Sequence, residues 1–350
     1  MSFISKTAAS TAAVLASVLL AGASLAAGLP GAPAPFDKGG VKFALVGFIS
    51  SGDFFAAVQA GAKAQSAAIG VDLQVFPGRQ DSAEQRLQIE QAINLGVKAI
   101  VIDHGEPEAL RDVVQKALDA GIKVVAFDVN VDNPAVPQVE QSDHELARLA
   151  LDQAVKDNGT SFKAGYAYVA GFAPLDRRNE VWQEFKKANS GVVEKAQFGV
   201  VNATTALSTS DQAKAVLRAN PDISVVFAPY DEFARGVKLA ATELGTAGKL
   251  KVYSADVSTA DIQEIVADGS PWVATVATNP ALVGAAAIRA AAKLVAGEPV
   301  DHNLVIKPTL LTQASLRAAG VTTIDELATK VPSFNESDVA LAPWIPVASK

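Results

Sequence analysis

The chain has no cysteine among its 350 residues. It therefore carries no disulfide framework, no thiolate metal site and no cysteine to take a lipid behind an export leader. Histidine is nearly as rare, with only His104, His144 and His302. His302 falls beside the turn-forming Gly297-Glu298-Pro299 and His144 opens a helical stretch, so neither reads as a metal ligand. The GxSxG elbow, the GxxxxGKS/T loop, the GxGxxG turn and the HExxH helix are all missing, which removes the common hydrolase, nucleotide, dinucleotide and zinc signatures. The run Asp128-Val129-Asn130-Val131-Asp132 begins like a calcium loop. Asn133 then stands where that loop needs glycine, and Val139 where it needs a bidentate glutamate. Basic excess is absent too: 30 Lys and Arg face 37 Asp and Glu, a net charge of −7, which argues against a nucleic-acid partner. The sequence thus points to no catalytic set, no metal and no cofactor.

What is present begins with an export pattern. One early cation, Lys6, precedes an apolar small-residue run from Ala8 to about Ala26, and Ser24-Leu25-Ala26 or Leu25-Ala26-Ala27 offers a cleavage site. Residues 1–27 read as a signal peptide, cut near residue 26–27, that sends the chain to the periplasm. A membrane anchor is the alternative, but the run is built of Ala and Ser rather than Leu, Ile or Phe. The Gly, Pro and Ala stretch of residues 28–40 reads as a flexible lead-in. The remaining chain of about 310 residues exceeds one comfortable core and suggests two domains.

From Val41 onward, short runs rich in Val, Ile and Phe alternate with longer stretches of helical periodicity, the pattern of repeated βα units on parallel sheets. A first series runs to Asp128 and a second from the helix at Asp143, so two similar α/β halves emerge. The second series is expected to hold a helix near Asn179–Ala188 and a strand near Val193–Val200. The tail, with Pro332, Pro343, Trp344 and Pro346, reads as packing across the outside of a domain. In open parallel sheets ligands sit beyond the carboxyl ends of strands. Polar residues recur there: Ser50-Ser51-Gly52-Asp53, Asp103-His104, Asp128-Val129-Asn130, Tyr230-Asp231 and Asp256. Any one of these alone would read as a cap or turn residue. The set points to a site.

These residues resemble the periplasmic sugar-binding proteins of ABC importers, of the ribose-binding type, whose core is shared with the effector domain of the lactose-repressor family. The resemblance spans about Val41 to Pro308. It is carried by Val46-Gly47-Phe48 leading to Ser51-Gly52-Asp53-Phe54-Phe55, and by Val124-Val125-Ala126-Phe127-Asp128. Val225-Val226-Phe227-Ala228-Pro229-Tyr230-Asp231-Glu232, Val252-Tyr253-Ser254-Ala255-Asp256 and Ala274-Thr275-Val276-Ala277-Thr278-Asn279-Pro280 complete it. It implies two doubly wound parallel-sheet domains joined by a three-strand hinge, with a ligand cleft between them. The domains would be residues 41–141 plus 279–307, and residues 142–278 plus 308–350.

The resemblance also implies roles. Phe54 and Phe55 match an aromatic pair facing the sugar, although one of them could instead plug the core. Asp128 and Asp256 match strand-end carboxylates from opposite domains that accept ligand hydroxyls, and Asn130 matches an amide. Arg177 and Arg178, followed by Asn179, fall where the family has a ligand-binding arginine before a helix. Tyr230, Thr278 and Thr204 replace an Asn, a Gln and a further aromatic of ribose binders, which implies a ligand other than ribose, such as another pentose, a hexose or a polyol. Asp128→Asn or Asp256→Asn is expected to weaken binding without loss of unliganded stability. The implied function is a monomeric solute-binding protein that delivers a sugar or polyol to an ABC transporter membrane permease. A sugar-active enzyme using the same carboxylates and a chemoreceptor-linked sugar sensor are the alternatives.

Overall fold

A computed structural model of the chain describes residues 28–348, so the proposed leader lies outside the described residues. The chain first runs through β1 (Val41–Gly47), α1 (Asp53–Ala68), β2 (Val71–Phe76), α2 (Ser82–Asn94), β3 (Ala99–Asp103), α3 (Pro107–Asp119), β4 (Lys123–Phe127) and β5 (Gln138–Glu140). It continues through α4 (Asp143–Asn158), β6 (Ser161–Ala167), α5 (Ala173–Ala188), β7 (Gly191–Phe198), α6 (Thr205–Ala219), β8 (Val225–Ala228), α7 (Asp231–Glu243), β9 (Lys251–Ala255), α8 (Thr259–Val266) and β10 (Trp272–Ala277). It ends with α9 (Pro280–Val295), β11 (Asn303–Val305), β12 (Thr309–Thr312), α10 (Gln313–Ala318) and α11 (Ile324–Lys330).

The local causes are those of ordinary βα units. All five residues of β3 are buried, as suits a parallel strand covered on both faces. On α3 the buried residues Leu110, Val113, Val114 and Ala117 recur at helical spacing, so one stripe faces the sheet. Asp81 caps α2 by accepting from the amides of Ala83 and Glu84 at 2.8 and 3.0 Å. α5 starts six residues earlier than the sequence suggests, because Pro174 suits a helix start and cannot continue one begun before it. β7 likewise sits two residues earlier, at Gly191–Phe198.

The strands form two six-stranded sheets, in the orders β2-β1-β3-β4-β5-β11 and β7-β6-β8-β9-β10-β12. All paired neighbours are parallel except β10 and β12. Each sheet has apolar clusters on both faces. These are the two doubly wound α/β lobes that the alternation implies. Chain order reverses beside β1 and beside β6, which places a crevice at the carboxyl ends of each sheet. α9 returns to the first lobe and lies against α1 at very close range. A Cβ on Gly61 would fall 1.9 Å from Ala281 O, and one on Gly284 2.0 Å from Val58 O, so glycine is required at both contacts.

The chain passes between lobes after β5, after β10 and after β11. Thr278 Oγ1 ties the first two passages together by donating to Gln141 Oε1 at 2.6 Å. The two chain ends differ from expectation. Leu316, Val321, Leu327 and Phe334 of the tail join the second lobe's core, but Val339, Ala342, Trp344 and Ile345 pack on the first lobe. There Arg289 donates to Val339 O at 2.9 Å and Gln65 to Pro346 O at 2.7 Å. The lead-in is also ordered rather than free: Phe36 is 1% exposed, with its ring 4.9 Å from Trp344. Burying two large aromatics outweighs the flexibility that Gly and Pro confer.

Candidate functional site

Three strand ends aim polar side chains into the crevice by the same device. His104, Asp128 and Asp256 follow β3, β4 and β9 with φ of 60°, 51° and 72°, a left-handed conformation uncommon outside glycine. The neighbouring strand fixes each one. Their amides donate to Phe127 O at 2.8 Å, Val139 O at 3.1 Å and Val276 O at 3.0 Å. Such conformations cost on the order of 1 kcal/mol or more each and cluster where ligands are clamped.

Two arginines from the second turn of α5 fill the space between the lobes. Successive helical residues diverge by about 100°, so Arg177 and Arg178 reach different partners from one backbone segment. Arg178, 2% exposed, donates from Nε to Asp143 Oδ1 at 2.7 Å, from Nη1 to Pro229 O at 2.7 Å and to Asp256 Oδ2 at 2.8 Å, and from Nη2 to Asp256 Oδ1 at 3.2 Å. Arg177 donates from Nε to Asp143 Oδ2 at 2.8 Å. Its Nη2 serves the same oxygen at 2.5 Å and reaches across the cleft to Asp128 Oδ1 at 2.6 Å. Asp143 thus sits between both guanidinium groups. Burial alone would lower the pKa of Arg178, but Asp256 and Asp143 outweigh it and the group stays charged. Burial, then the Asp143 charge, pushes the Asp128 carboxyl up to about 7 against the pull of Arg177. Its Oδ2 is buried without a partner.

His104 is held on three sides. Its Nδ1 lies 2.7 Å from Asp103 Oδ1, and its ring meets Phe55 and Phe127 edge-on at 5.2 Å each. Burial would depress its pKa, but Asp103 prevails and raises it. Between the lobes lies a cavity. Its polar lining is His104, Gln141, Arg178 and Asp256, with Tyr230 beside them. Its apolar lining is Ile49, Phe54 and Phe55 from the first lobe and Phe172, Pro174, Leu175 and Val201 from the second. The lips are closed: a Cβ on Gly52 would stand 3.9 Å from Glu232 Oε1 of the opposite lobe.

Of the residues singled out in the sequence, Phe54, Phe55, His104, Arg178, Tyr230 and Asp256 line this cavity. Asp128 and Arg177 adjoin it through the ion-pair network, and Thr278 stands behind Gln141. Four do not join them. Asp53 is exposed at the lip. Asn130 is exposed, and its Oδ1 is used by the Asp132 amide at 2.9 Å and by Gln138 at 3.0 Å, so a local turn claims it. Asn179 Oδ1 accepts from Gln183 at 3.0 Å and Tyr166 at 3.3 Å, because its place on α5 points it away from the two arginines. Thr204 is exposed before α6 and bonds only to Asn202 and Ser208. Asp256 is also an ion-pair partner of buried Arg178. Its pairing with a buried arginine means that Asp256→Asn would cost stability, contrary to the sequence expectation.

Sequence reasoning missed Gln141, Asp143, Phe172 and Val201. The first two lie in a polar run between a strand and a helix, where Asp143 reads as a helix-start acid. Phe172 and Val201 are apolar residues in loops just after strands, each beside or near a glycine, and that misplacement is the one signal they carry.

The sequence matches the family model described as a periplasmic binding protein domain over residues 43–299. The ribose import binding protein of Escherichia coli (strain K12) is 29% identical over 273 residues, covering 75% of this chain and 90% of that protein. The 5-methylthioribose transporter solute binding protein from Thermotoga lettingae TMO, solved in complex with 5-methylthioribose, superposes with a TM-score of 0.85 at 39% identity, over 87% of this chain and 97% of its own. A sugar ABC transporter protein from Yersinia enterocolitica gives a TM-score of 0.83 at 27% identity, over 87% of this chain and 93% of its own. With two such lobes, this cleft and a family match over most of its length, the chain belongs to the periplasmic binding protein family.

Proposed function

We propose that this chain is the solute-binding component of an ABC-type importer. It captures a small neutral sugar between its lobes in the periplasm and presents it, as a monomer, to a membrane permease. The observation that carries this reading is the buried Asp128–Arg177–Asp143–Arg178–Asp256 network at the strand ends of both lobes, with Asp128 Oδ2 left to accept a ligand hydroxyl. Arg178, the cation of the cavity lining, is already held by two carboxylates, which disfavours a phosphorylated or acidic ligand. Asp128 and Asp256 are each tied to a guanidinium, an arrangement suited to holding hydroxyls rather than to proton transfer. The relatives support a sugar as the ligand. The largely apolar cavity favours a pentose with an apolar 5-substituent, such as the 5-methylthioribose bound by the Thermotoga protein, over ribose.

A thermal-shift series tests this. Ligand that binds only the native state adds about 2.7 kcal/mol at a hundred times Kd. 5-Methylthioribose is expected to raise the melting temperature most, ribose less and ribose 5-phosphate not at all. A rise with ribose 5-phosphate alone, or with none of these sugars or a polyol, would overturn the reading.

A further inference from the structure

Phe172 and Val201 hold an unusual position. Both project from second-lobe loops, and both are half-buried side chains that pack against the cores of the two lobes at once. The first-lobe core that they meet contains Ile49, Phe54 and Phe55. Their loops are shaped by Gly171 and Gly199, with φ of 94° and 135°, and a Cβ on Gly199 would come within 3.1 Å of Tyr168 N. Side chains at these places are therefore presented by backbone that few other sequences could adopt.

Both also line the cavity, beside Pro174 and Leu175. The polar lining comes from strand ends for His104 and Asp256, an inter-lobe passage for Gln141, and α5 for Arg178, about one turn beyond Pro174 and Leu175. The cavity wall thus combines hydrogen-bonding groups with apolar side chains, and Phe172 and Val201 bring it no polar side-chain atom. A sugar hydroxylated at every carbon would bury a hydroxyl against Phe172 and Val201 with nothing to pair with it. We infer that the wall formed by Phe172 and Val201 is a subsite for an apolar substituent on the sugar, and that these two side chains select it. This rests on the sugar-binding reading above. Because the same two side chains touch the first lobe, a substituent seated there fills the seam between the lobes and couples recognition to closure.

Calorimetric titration of the full mature chain with ribose and with 5-S-methyl- and 5-S-ethyl-5-thioribose tests the assignment. The wild type is expected to bind a thioalkyl pentose at least about tenfold tighter than ribose, since each buried methylene contributes about fourfold. Val201→Thr keeps the shape but adds a hydroxyl, and should lower that ratio about fivefold or more. Val201→Ile fills the subsite instead and should reject the ethyl compound before the methyl one, which preserves the test if the threonine variant melts early. A wild-type ratio near one, or a ratio that neither variant changes, overturns the subsite while leaving sugar binding intact. Failure of every sugar to bind overturns the parent reading instead.

Discussion

Replacing Arg178 by methionine should lower the stability of the unliganded protein by about 3–5 kcal/mol and remove measurable sugar binding, as read by denaturant unfolding and calorimetry side by side. The partners of Arg178 are Asp143 at the start of α4, Asp256 after β9 and Pro229 O after β8, all within the second lobe. These pairings of Arg178 therefore persist whether the cleft is open or shut. With the guanidinium gone, buried Asp256 loses its counter-charge and buried Asp143 one of its two, and breaking a buried pair in this way costs about 3–5 kcal/mol. Arg177 provides the control. Its side chain is 18% exposed and its bond to Asp128 crosses the cleft, so Arg177→Met should spare much of the stability and act mainly on closure. Equal stability losses in the two variants would mean that the network is not divided between lobes as described.

Asp128→Asn should weaken sugar binding ten- to hundredfold, the effect of losing a charged hydrogen-bond partner worth about 1.5–3 kcal/mol. Unliganded stability should change little, because the side-chain partner of Asp128, Arg177, stands on the other lobe and is met only on closure. The same residue links closure to pH. Burial in the shut cleft, with Asp143 near, raises its carboxyl to about 7 from an ordinary value of 3.8, against the opposing charges of Arg177, His104 and Arg178. A raised carboxyl favours the protonated form, so its penalty on closing the empty cleft is absent below about 4 and complete above about 7. The empty protein should accordingly be more compact by small-angle scattering at pH 5 than at pH 8. His104 and Asp256 shift in the same direction, so the contrast with Asp128→Asn isolates the Asp128 contribution. A pH response as large in the variant as in the wild type would refute this role.

The fold was largely legible because each βα unit announces itself locally. Gly70, Gly96 and Gly121 after three helices do adopt positive φ, and the mostly apolar strands β3 and β4 are flanked by turns. Strand-end polarity led to His104, Asp128 and Asp256 for the reason that a parallel sheet offers its ligand only that edge. What stayed hidden depends on long-range contact. Residues such as Phe172 and Val201 look like core because only the approach of a second lobe turns an apolar loop residue into a cleft wall. Asn179 and Thr204 resembled ligand groups by position, yet the helix phase of α5 and the exposed start of α6 direct them elsewhere. From sequence the tail reads as lying on one domain, because proline and tryptophan reveal that a segment packs but not against which partner.

The proposed function requires that one neutral sugar be held, unaltered, between the two lobes. Titration calorimetry of the mature chain against a panel of pentoses with and without an apolar substituent at C5, hexoses and polyols, with the sugar recovered afterwards, tests it most directly. One site per chain, a negative heat-capacity change from apolar burial on closure, and return of the sugar unchanged are expected. Absence of binding across the panel, or conversion of the sugar, would contradict the proposed function.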